Sequence, residues 1–121
     1  MKDNFVTYEI AVKLKYLRFT SEIYFGWCHG DGSGEIHIIV LEGNKVELNE
    51  LIIGIPLLQQ AQKWLREVHH IHIGIWHNTL TNKYRWERQI GEEYVDANEE
   101  FATYELALSE GLTEALKLIK I

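Results

Sequence analysis

The chain is poor in several residue types that would mark particular classes of protein. It has 121 residues, one cysteine, one proline and one methionine. A lone Cys28 excludes an internal disulfide and suits a reducing compartment. The single proline, Pro56, opens the central helix at the first-turn position, where its missing N–H does no harm. Long apolar runs are missing too: the longest, residues 51–58, is interrupted by Gly54 and Pro56 and falls short of the ~18 residues that a membrane span needs. The first residues, Met-Lys-Asp-Asn, lead into an amphipathic segment without the apolar core of a secretion signal. The expected location is the cytoplasm, with no membrane partner. Positive charge is also in deficit, the net charge being −6. Nucleic acid is therefore an unlikely partner, because backbone binding needs Lys and Arg gathered on one face.

What is present describes an ordinary globular chain. The apolar fraction is 46% and the charged fraction 25%, and the length fits a single domain, 1–121, able to bury a core unaided. The organising stretch runs from Pro56 to His77. Leu57, Leu58, Ala61, Trp64, Leu65 and Val68 recur at helical spacing, and Ile71, Ile73 and Ile75 then recur every second residue. The period changes from 3.6 to 2 near His70, so a helix hands over directly to a strand.

The remaining elements follow from the same rules. Thr7 caps a helix to about Arg18, with Glu9 in its first turn and Ile10, Leu14 and Leu17 on one side. Alternation through Ile23, Phe25 and Trp27, a glycine-rich turn, and Ile36, Ile38 and Val40 predict a hairpin. Gly43-Asn44 leaves room for a short further strand at Val46–Leu48. Residues 83–90 form a second hairpin with the central strand, placing Tyr84, Trp86, Arg88 and Ile90 on one face and Lys83, Arg85, Glu87 and Gln89 on the other. Opposite charges on that second face predict a cross-strand ion-pair ladder. The polar stretch 91–100 reads as a connection to a last helix, Tyr104 to about Ile119, in which Gly111 calls for a close helix-to-sheet contact. Phe5-Val6-Thr7-Tyr8-Glu9-Ile10-Ala11 and Phe101-Ala102-Thr103-Tyr104-Glu105-Leu106-Ala107 agree at five of seven positions. An independently reached, favourable helix start explains this better than a duplicated αββ unit.

The expected fold is α+β: two antiparallel hairpins in one sheet of four to five strands, with three helices on one face in the order α-β-β-α-β-β-α. The run Pro56–Glu67 followed by His70-Ile71-His72-Ile73, with the ending Thr103-Tyr104-Glu105 to Leu116, resembles a family of small uncharacterised proteins common in bacteroidete genomes, mobile elements and phages. That resemblance implies an intracellular protein and no particular activity, cofactor or catalytic residue.

For function, the other sheet face matters most. Tyr24, His37, His70, His72 and Trp76 would lie open there, an aromatic and imidazole-rich surface suited to another protein or a second copy. The chain therefore reads as a non-enzymatic binding module without a cofactor. The alternative is a metal-dependent enzyme using His70 and His72, which on one strand would leave the same face about 6.5–7 Å apart. Cys28-His29 does not make a catalytic dyad, because neighbours on a strand face opposite ways. Lys83, Arg85 and Arg88, interleaved with Tyr84 and Trp86, are the only residues suggesting single-stranded nucleic acid.

Overall fold

The computed structural model describes residues 4–17, 26–29, 36–38, 52–54 and 56–119. The expectations for Tyr24, the glycine-rich turn at 30–34 and the strand at 46–48 lie outside these residues. Along the chain the elements are α1 (Tyr8–Tyr16), β1 (Gly26–His29), β2 (Ile36–Ile38), β3 (Ile52–Gly54), α2 (Leu58–Val68), β4 (His72–Asn78), β5 (Lys83–Ile90), β6 (Glu93–Asp96) and α3 (Tyr104–Leu116). The contacts group them into two compact units, residues 1–60 and 61–120, with α2 running from one into the other.

The class is α+β as expected, but the expected sheet is not there. Among the described residues two separate three-stranded antiparallel sheets replace a single sheet of four to five strands, and the order is α-β-β-β-α-β-β-β-α. The helices do not share one face: α1 packs on β3, and α3 packs on β4 and β5. Two short strands account for the difference. β3 is an Ile-Ile-Gly segment with no alternation to betray it, although Pro56 biases the chain before it toward extended geometry. β6, Glu-Tyr-Val-Asp, has only Val95 half-buried, so its polar sequence resembles a linker. A Gly91-Glu92 loop joins it to β5, with Ile90 opposite Glu93. Gly91 has φ 58° and Glu92 does not share that sign, the pattern of a type II′ hairpin turn.

In the first unit β1 is central, flanked by β2 and β3. Thr7 caps α1, its Oγ1 accepting from the Ile10 N–H at 3.3 Å, and Ile10, Ala11 and Leu14 are buried. Val6 N–H donates to the Pro56 carbonyl and Phe5 bridges Leu57. Pro56 lies before the helix rather than in its first turn. The helix start is closed by Gln60, whose Oε1 accepts from the Leu57 N–H at 2.9 Å, half of a capping box.

In the second unit β5 lies between β4 and β6. α3 covers one face, burying Ala107, Leu108, Gly111, Leu112, Ala115 and Leu116 with Ile73 and Trp86 also buried. A Cβ on Gly111 would stand 3.0 Å from both Ile73 Cγ2 and Trp86 Cβ, so the glycine is what allows this approach. Thr103 caps α3 through the Leu106 N–H at 3.1 Å. The two matching helix starts thus share a local device: Phe5 and Phe101 each form an isolated β-bridge, followed two residues later by a threonine cap. The surrounding sheets differ in strand order, which favours local convergence over duplication. Gln62 of α2 donates from Nε2 to the Ile73 carbonyl at 2.7 Å. Among the described residues no helix is long and apolar enough to cross a membrane.

Candidate functional site

The face of the β4–β5–β6 sheet opposite the Ile73 and Trp86 side chains is set by strand alternation. Trp76 pairs with Arg85, Gly74 with Glu87, Glu87 with Asp96, and Gln89 with Tyr94, so His72, Trp76, Arg85, Glu87, Tyr94 and Asp96 project to the same side. Trp76 is 49% and Tyr94 57% exposed. These are large exposures for rings that normally carry buried area.

Among the described residues the expected ion-pair ladder on that face does not form. The Arg85 guanidinium lies over the Trp76 ring, 4.8 Å from its centroid, a cation–π contact. Glu87 instead accepts a hydrogen bond from the Tyr94 hydroxyl at 2.7 Å. Gly74 makes this placement possible, since a Cβ there would meet Glu87 Oε1 at 2.8 Å. Trp76, Arg85, Glu87, Tyr94 and Asp96 together line a shallow cavity of about 250 Å³.

Its electrostatics have one measurable signature. The Tyr94 phenol is raised above its ordinary value of 10.0, first by the hydrogen bond to Glu87, then by desolvation and by the Glu87 and Asp96 charges, with Arg85 opposing. A raised folded-state value means that this contribution to stability is complete below the ordinary tyrosine range and is lost as pH rises through the raised one. Glu87→Gln is expected to bring one of the tyrosine transitions back toward 10.0, followed by NMR titration of the tyrosine ring signals. An unchanged set of transitions would show that the phenol and carboxylate are not joined in solution.

The histidines are arranged differently from the expectation. His72 begins β4 and is exposed, whereas His70 precedes the strand with φ 57°. There it ends α2: the Leu65 carbonyl accepts from both the His69 and Ile71 N–H groups, at 3.1 and 3.0 Å. His70 and His72 therefore do not leave one strand face as a ligand pair. Among the described residues no three His, Cys, Asp or Glu side chains gather as they would around a metal. The left-handed conformation costs a side-chain-bearing residue of order 1 kcal/mol. His70→Gly is accordingly expected to stabilise the chain by up to ~1 kcal/mol in urea denaturation, and a loss of stability would give the imidazole a role that its position does not suggest.

His37 lies in β2, in the other sheet, opposite Trp27, so it does not extend the Trp76 surface within its own sheet as expected. The basic residues are likewise divided. Arg88 faces the other way from Arg85, its side chain 12% exposed and paired with Glu93 at 3.1 Å, which leaves no shared strip of Lys83, Arg85 and Arg88. Of the expected surface, His72 and Trp76 remain together. Arg85, Glu87, Tyr94 and Asp96 join them, and the signal that would have found the last two is the Gly91-Glu92 turn, which folds β6 back beside β5.

Comparison with known proteins gives no matching family model, no matching curated protein and no matching solved structure.

Proposed function

We propose that this chain is a non-enzymatic binding module that associates with protein through the β4–β5–β6 face carrying Trp76, Arg85 and Tyr94. The observation that carries the reading is the half-exposure of Trp76 and Tyr94 on one sheet face, with an arginine held against the indole. Trp, Tyr and Arg are the residues most enriched at the energetic centres of protein interfaces. The metal-dependent alternative loses its support with the separation of His70 from the strand.

A photo-cross-linking residue in place of His72 tests the proposal without removing the aromatic anchors. In cells that contain the chain, it is expected to give discrete adducts whose masses distinguish a second copy from another protein, and Trp76→Ala is expected to abolish them. The same group at Lys117, exposed at the end of α3, serves as the control. Adducts that persist without Trp76, or that form equally from Lys117, would reject the sheet face as the binding surface.

A further inference from the structure

We infer that the cavity bounded by Trp76, Arg85, Glu87, Tyr94 and Asp96 receives the charged end of a lysine or arginine side chain, placed on its two carboxylates, from a basic segment of a different protein. This deepens the binding-module reading and rests on it. The size of the cavity is the first argument. About 250 Å³ lies below the ~300–1,000 Å³ of small-molecule and cofactor pockets, and suits one long side chain.

The sign of the charge is the second. Glu87 and Asp96 are direct cross-strand partners, an arrangement of like charges that is unfavourable unless a cation stands between or beside them. The internal cation, Arg85, lines the same cavity but is engaged elsewhere. Arg85 lies over Trp76, its Nε is buried without a hydrogen-bond partner, and among the described residues no ion pair joins it to either carboxylate. Tyr94 engages one oxygen of Glu87, which leaves Oε1 beside Gly74 and the Asp96 carboxylate free to accept from an incoming donor.

One face of the Trp76 ring is taken by Arg85, but the Tyr94 ring beside the carboxylates is 57% exposed, and exposed aromatic faces attract ammonium and guanidinium alike. An anionic ligand would meet two carboxylates against one guanidinium. A second copy would bring four carboxylates and two guanidiniums together, so the complementary occupant comes from elsewhere. The overall charge of −6 would steer a basic partner toward the chain.

The test is an NMR titration of the full chain with three capped octapeptides of otherwise identical sequence: one carrying lysine and arginine, one uncharged and one carrying glutamate. The basic peptide is expected to move the Trp76 indole N–H signal while those of Trp64 and Trp86 stay in place. Its affinity is expected to fall at least tenfold in the Glu87→Gln/Asp96→Asn double variant, and further when salt is raised from about 0.05 to 0.5 M, where exposed charges are screened. Equal binding of the basic peptide to the double variant, or a Trp76 signal that it never moves, would overturn the inference. If the uncharged or acidic peptide, or a second copy, moves the Trp76 signal instead, the binding face stands and the basic occupant falls. If none of them does and the His72 cross-linker yields no adduct, both fall.

Discussion

Trp86→Ala is expected to lower the stability of the second unit by about 3–5 kcal/mol, the range for removing a large aromatic from a packed interior. Trp86 sits on the central strand of its sheet, is 9% exposed, and lies across from Ile75 beneath Gly111. Its backbone carbonyl also holds the Ala97 N–H at 3.1 Å, a bond that the substitution leaves in place, so the loss should come from packing. Urea denaturation followed by circular dichroism measures it, with the midpoint falling while the slope is kept. A single transition that moves as a whole would show the two units unfolding as one domain, whereas a transition that splits would show them unfolding separately. A loss below ~1 kcal/mol would mean that the indole is not packed as described.

The second large effect is expected at Gly111. Filling this position places a side chain against Trp86 Cβ and Ile73 Cγ2 at 3.0 Å and Trp86 Cγ at 3.2 Å. Trp86 Cβ is anchored to the strand backbone and cannot swing away like the end of a flexible chain, so α3 must lift from the sheet. Gly111→Ala sets that crowding against a gain of up to ~1 kcal/mol in helix propensity, and a net loss of about 1 kcal/mol is expected. Gly111→Leu adds volume with nowhere to go and is expected to cost about 3 kcal/mol or more. Combining Gly111→Leu with Trp86→Ala should cost clearly less than the sum of the two, because the truncated indole makes room. Strict additivity would show that helix and strand do not meet at this point.

These residues also show where sequence reasoning succeeds. Local features with a strong physical signature were legible: the change of period between Val68 and His72, the threonine caps at residues 7 and 103, and the need for a small residue at 111. The alternation in residues 83–90 correctly separated Trp86 from Arg85. It did not reveal that Arg85 would turn to Trp76 rather than to a carboxylate, because the choice depends on Tyr94 hydrogen-bonding to Glu87 from a strand that the polar sequence disguised. The division into two sheets was hidden for a related reason. Ile52–Gly54 has too few residues to display a period, and strand pairing is a long-range property that local pattern does not encode. His70 marks a third limit. Its neighbours read as one continuous strand, but the chain needs a left-handed residue to leave α2, and nothing in the spacing of the isoleucines announces that reversal.

The bond from Gln62 to Ile73 has an implication for the fate of the molecule at high concentration. Tyr84 and Trp86 direct their main-chain groups toward Phe101 and Ala97, so by alternation it is Arg85 and Glu87 that bond to β4, and the carbonyl of Ile73 points away from the sheet. Outward main-chain acceptors on a strand that ends its sheet are the groups through which a further chain would pair. A single amide, reaching across from a neighbouring helix, occupies the acceptor nearest the start of that strand and withdraws it from any such pairing.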